Sequence, residues 1–273
     1  MIDPRWGAKS IPISTVYLSV EGLCGGEQWH VDDFDALADL VAVVMVGRAK
    51  LVAGILEGAE IGPIVTSAAM KARLKSSLLL EEGKDTWHRD GLLFETICWI
   101  IARRGSAPNE VLSDPHRRAT NQGADSVKVV FDPGARELEK VTVYEQKCSD
   151  KPRDKFRDEV LPAFTDWITG TRDDELLQIA IGLLARFNLT DAEHNRAYAR
   201  LALAPRPIAF RAALTVSPAT FPQGKCKKVF KGYDCLAVAL DARFGDTFPL
   251  DDMRAWFEAF AAAVWAKIEA FNV

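Results

Sequence analysis

The residue types most open to a chemical reading are Asp125 and the pair flanking Gln146 in Glu145-Gln146-Lys147. Carboxylates are the hard oxygen ligands that Mg²⁺ or Mn²⁺ takes. A divalent cation so held polarises a phosphate and lowers the pKa of a bound water. An ammonium beside it orients that water and offsets developing charge. Asp125, Glu145 and Lys147 together therefore suit metal-assisted hydrolysis of a phosphodiester. A third carboxylate, Glu95, lies within Gly91–Arg104, whose apolar side chains cover most of a helix circumference. A carboxylate buried there needs a partner or a ligand.

Local structure has to bring these groups together, and the sequence supplies it. Ser126–Phe131 reads as a strand, Asp132-Pro133-Gly134 as a turn, and Lys140–Lys147 as a returning strand. Asp125 and Glu145 are 20 residues apart, the length of two short strands and a turn. Antiparallel pairing sets the start of one strand beside the end of the other. On the second strand Val141, Val143, Glu145 and Lys147 share a face, and Thr142, Tyr144 and Gln146 share the opposite one.

The order helix Glu95, strand-start Asp125 and strand-end Glu145-Gln146-Lys147 resembles the PD-(D/E)XK superfamily of restriction-type nucleases, over roughly Asp90 to Trp167. The resemblance implies an α/β, restriction-endonuclease-like fold, a mixed sheet flanked by helices with N-terminal and C-terminal elaborations. It implies Mg²⁺ or Mn²⁺ on Asp125 and Glu145, support from Glu95, and a catalytic role for Lys147. Ala124 stands where the namesake motif has Pro, which removes no ligand. The layout around this core is also similar to the nuclease subunit of Hachiman-type anti-phage defence systems. That similarity implies DNA as substrate, with RNA not excluded, and a helicase or other defence subunit as partner. The alternative function is a non-catalytic interaction subunit retaining the nuclease-like core, with the aromatic residues Trp256, Phe257, Phe260 and Trp265 of the last helix as its docking face. A third reading is hydrolysis of another phosphoester, such as a nucleotide.

Other charged groups read two ways. Lys151, Arg153, Lys155 and Arg157 can track a phosphate backbone, or form a solvated helix start, since they alternate with Asp150, Asp154, Asp158 and Glu159. Arg117 and Arg118, in the loop before Asp125, are candidate nucleic-acid contacts or plain surface. Lys225, Lys227, Lys228 and Lys231 form a basic run free of acids. His30 lies near Asp32, Asp33 and Asp35, where helix capping is the simpler reading. Gly22-Leu23-Cys24-Gly25-Gly26 lacks the Gly-Lys-Ser/Thr ending of a P-loop, so no ATPase activity is expected.

Composition frames these readings. The chain has 273 residues, 48% hydrophobic and 26% charged, enough for a sizeable core. Its net charge of −4 gives no overall nucleic-acid signal. Five cysteines without a CxxC read as reduced, intracellular thiols. The most apolar stretch, Leu40–Val46, is too short to span a bilayer, and no apolar leader follows Met1, so a cytoplasmic protein without a membrane partner is expected. An N-terminal α/β lobe is expected over 1–85 and the nuclease core with a helical C-terminal extension over 86–273. Expected elements include a strand at Ile11–Val20, a break at Gly22 to Gly26, one helix capped by Asp32 or Asp33 and running to about Glu57, a helix at Ser67–Leu80, helices over 151–167, 171–187 and 192–203, strands at Ile208–Val216 and within Val229–Leu240, and a closing helix over Leu250–Phe271.

Overall fold

A computed structural model describes residues 12–56, 63–81, 83–104, 106–116, 123–203, 206–222 and 226–273. Its centre is a seven-stranded mixed sheet with helices on both faces, the α/β class expected. The strands are β1 (Ile13–Val20), β2 (Cys24–Val31), β3 (Glu110–Leu112), β4 (Ser126–Asp132), β5 (Glu137–Lys147), β6 (Ile208–Val216) and β7 (Arg243–Pro249). Their spatial order is β1-β2-β7-β6-β5-β4-β3. β5, β6, β7 and β2 run parallel, and β1, β4 and β3 pair antiparallel to their neighbours. The parallel centre is covered on both sides, which is why β6 reads Ile-Ala-Phe-Arg-Ala-Ala-Leu-Thr-Val with little polar alternation.

The hairpin that carries the candidate chemistry forms as expected. Asp132 Oδ1 accepts from the Gly134 and Ala135 amides at 2.7 and 3.0 Å, closing the turn after β4. β5 begins at Glu137, earlier than the sequence pattern indicates.

Each face of the sheet has its own core. Helices α1 (Phe34–Met45), α2 (Ala49–Leu56), α3 (Ala68–Leu78), α4 (Trp87–Arg103) and α9 (Met253–Ala270) pack on one face, around Trp29, Phe94, Phe248, Phe257 and Phe260. Helices α5 (Pro152–Lys155), α6 (Leu161–Thr169), α7 (Asp173–Leu184) and α8 (Asp191–Ala202) belong to the other, around Phe156, Phe164, Trp167, Phe210 and Tyr233. A π-helical turn, Phe156–Val160, joins α5 to α6. Burying each of these large rings contributes about 1.5–3 kcal/mol.

The sequence pattern and the structure part company in several places. The segment expected to break at Gly25 and Gly26 is the strand β2. A Cβ on Gly26 would lie 2.0 Å from the Gly245 carbonyl oxygen, so this strand approaches β7 only as glycine. Through β2 and β1, the expected N-terminal lobe contributes to the same sheet as the C-terminal strands. Asp33 caps α1, accepting from the Ala36 amide at 2.9 Å, as the acid-rich start suggests. The single helix expected to run to Glu57 is two, α1 and α2, with Gly47 at φ +83° between them. The last strand is β7, not a segment within Val229–Leu240, which holds a tight turn at Tyr233–Cys235. Phe257 and Phe260 are fully buried, and Trp256 packs on Phe34, Phe248 and Phe260. The aromatic stripe of α9 is thus core, not a docking face. Among the described residues no helix is long and apolar enough to cross a membrane.

Candidate functional site

The pairing of Ser126 with Tyr144 sets Asp125 level with Glu145, at the end of β5. The approach to Asp125 is held from below. Gly123 adopts φ +124°, and a Cβ there would meet Glu175 Oε1 at 2.8 Å. That same carboxylate, in the first turn of α7, accepts from the Ala124 amide at 3.0 Å and is fixed by Arg172 at 2.7 Å. Asp125 Oδ2 in turn accepts from the Gln146 amide at 2.5 Å. The residue between Glu145 and Lys147 thus anchors the opposing carboxylate through its backbone.

On the shared face of β5, Lys147 Nζ lies 3.1 Å from Glu145 Oε2 and 3.8 Å from Asp125 Oδ2. Glu145 is buried, and its pKa is pushed up to about 7, first by burial and then by the neighbouring Asp125 charge, with Lys147 opposing. Burial works against the Lys147 charge, but Asp125 and Glu145 outweigh it and hold this pKa above the ordinary lysine value. Lys147 therefore remains an ammonium at neutral pH. It donates hydrogen bonds and offsets negative charge, and it is not placed to act as a base.

Glu95 comes to the site from α4. Its buried carboxylate has a partner that sequence reasoning passed over, His116. Glu95 Oε1 lies 3.0 Å from His116 Nδ1 and accepts from the His116 amide at 3.1 Å. Ser113 places this segment: its carbonyl accepts from Trp99 Nε1 of α4 at 2.8 Å, and its amide donates to Val127 of β4 at 2.8 Å. Burial raises the Glu95 pKa against the lowering effect of His116, and Asp125 adds to the rise. The hydrogen bond to Glu95 raises the His116 pKa in return. No sequence signal marks His116, because it belongs to an irregular segment with no periodic pattern.

Ligand atoms of Glu95, His116 and Asp125 all lie within 4.8 Å of one another. Asp125 therefore belongs to two sets, the Glu95–His116 side and the Glu145–Lys147 side. Carboxylates crowded in this way fit a divalent cation, which would relieve their repulsion. When bound, it supplies Lewis-acid polarisation of a phosphate and a more acidic water. The imidazole beside the carboxylates moves the preference from Mg²⁺ towards transition metals.

The remaining predicted contacts are scattered. Lys151 is exposed just beyond β5. Arg153 Nη1 donates to the Val229 and Lys231 carbonyls at 3.3 and 2.5 Å, tying α5 to that loop. Arg117, Arg118 and Lys225 lie outside the described residues. No family model, curated protein or solved structure matches this chain, so the site is read from its own geometry.

The raised Glu145 pKa has a measurable consequence. A carboxylate whose folded-state pKa lies above its ordinary 4.5 contributes stability that is present below 4.5 and lost as pH rises through about 7. In EDTA, wild type should therefore lose stability relative to Glu145→Gln between pH 5 and pH 8, by on the order of 5 °C in Tm. Mn²⁺ at pH 8 should restore wild type and not the variant. Parallel melting-temperature profiles of the two proteins would contradict this.

Proposed function

We propose that this chain is a divalent-cation-dependent phosphodiesterase of the PD-(D/E)XK type that cuts nucleic acid. The observation that carries the reading is the position of Asp125. It is 3.8 Å from the Lys147 ammonium, and it belongs to the Glu95–His116–Asp125 ligand set. One carboxylate thus joins a cation site to a fixed positive charge, the pairing that phosphodiester hydrolysis uses.

Asp125 and Glu145 hold the cation, with Glu95 and His116 completing or buttressing its ligand set. Lys147 donates to a phosphate oxygen and offsets the charge that develops there. DNA as the substrate, a helicase or other defence subunit as partner, and a role in anti-phage defence form part of the proposal. Their support is the similarity of the layout around the Glu95, Asp125, Glu145-Gln146-Lys147 core to the nuclease subunit of Hachiman-type systems. The test is cleavage of labelled single-stranded DNA, duplex DNA and RNA with Mg²⁺, Mn²⁺ or EDTA, with free nucleotides as competitors. Cation-dependent cleavage of a polynucleotide is expected, with Mn²⁺ at least as effective as Mg²⁺. Hydrolysis of free nucleotides alone would replace this reading with that of a small-phosphoester hydrolase.

A further inference from the structure

A cleft of about 740 Å³ begins at the site. His116 lines it, while its imidazole Nδ1 is 3.0 Å from Glu95. The lining is mixed: Met45, Leu51 and Ile64 are apolar, and Thr96 and Asp114 lie near His116, the Asp114 carboxylate 3.8 Å from Arg186. Arg48 and Lys50 also line it. The turn at Gly47 places both at the start of α2, and both are exposed. Among the described residues Arg48 reaches the Val65 carbonyl, at 3.5 Å, and neither it nor Lys50 has a carboxylate partner.

Several other cations are paired. Lys155 pairs with Glu159, Arg157 with Asp154 and Asp158, Arg172 with Glu175, and Arg254 with Asp90 and Asp150. In a chain with a net charge of −4, a polyanion needs a local cationic path. An apolar patch of floor with two cations that no described carboxylate pairs, running up to a phosphodiesterase centre, matches a nucleotide: the base against that patch, its phosphates against Arg48 and Lys50. The volume lies in the range of ligand clefts of about 300–1,000 Å³. A volume of that size suits an unpaired nucleotide and not a length of duplex.

We infer that this cleft seats the unpaired nucleotide next to the scissile phosphate, with Arg48 and Lys50 gripping the strand, so that the enzyme prefers single-stranded or locally opened nucleic acid. The inference rests on the phosphodiesterase reading above. A duplex substrate would first have to expose a base, at a cost of about a few kcal/mol.

The test uses a labelled single strand and the matching duplex. Binding is followed by fluorescence anisotropy in EDTA, and cleavage by initial rates with Mn²⁺, for wild type and the double variant Arg48→Glu/Lys50→Glu. Because both side chains are exposed, the variant should melt like wild type. Expected are tighter binding of the single strand by wild type, a Kd and KM raised roughly 10-fold or more in the variant with the loss falling on KM, and a salt slope reduced by about 1.4 for two phosphate contacts on a single strand. If wild type cleaves, but the variant keeps its Kd, KM and salt slope, the cleft assignment is wrong and the phosphodiesterase reading stands. A wild type that neither binds nor cleaves any of these nucleic acids overturns both.

Discussion

Lys147→Ala should lower cation-dependent cleavage by roughly 10²–10³-fold, the cost of removing one preorganised charge-stabilising donor. Lys147 Nζ is a positive charge close to both Glu145 and Asp125, at 3.1 and 3.8 Å. Its pKa is held above the ordinary value by those two carboxylates against burial, so the lost group is an ammonium and not a base. Two consequences separate this role from that of a general base. The alkaline limb of the wild-type pH–rate profile should not report Lys147. Added amines should rescue the variant, if at all, as their protonated forms. The lysine is partly exposed, so the fold should survive, as far-ultraviolet circular dichroism can check. Initial rates at saturating Mn²⁺ within about threefold of wild type would remove Lys147 from the machinery.

The largest effect on stability is expected at the other side of the sheet. Asp246 is 1% exposed and sits on β7 between β6 and β2. It accepts from Arg211 Nε and Nη2 at 2.5 and 3.0 Å and from the Glu27 amide at 2.9 Å. Asp246→Ala leaves a backbone donor without its acceptor and the Arg211 guanidinium with the more distant Glu27 carboxylate, at 3.6 Å. Breaking a buried pair on one side costs about 3–5 kcal/mol, which is on the order of 10 °C in Tm for a chain of this size. The double variant Arg211→Leu/Asp246→Leu should cost less than Asp246→Ala, since it leaves no charge stranded. A single variant that melts within about 2 °C of wild type would show that solvent readily replaces the pair.

How much of this was legible in the sequence depends on the range of each interaction. The convergence of Asp125, Glu145 and Lys147 could be read because a hairpin is local: two strands, a turn and the two-residue period fix which ends meet and which side chains share a face. The helix bearing Glu95 was legible for the same reason. His116 was not, since it meets Glu95 only after Ser113 is pinned between α4 and β4. The strands β2 and β7 were obscured by Gly25, Gly26, Gly245 and Asp246, residues that weaken a strand reading taken alone. They are accommodated because the two strands pack closely at their glycines and Arg211 neutralises Asp246. In α9 the periodic aromatics announced an apolar face but not what covers it, and the cover proved to be α1 and the sheet.

A cation held through Asp125 is central to the proposed chemistry. Mn²⁺ binding at pH 8, measured by calorimetry for wild type and Asp125→Asn, tests this without reference to any substrate. The predicted result is saturable binding by wild type that weakens by at least roughly 10-fold in the variant, because Asp125 belongs to the Glu95–His116–Asp125 ligand set. No binding by wild type, or equal binding by the two proteins, would contradict it.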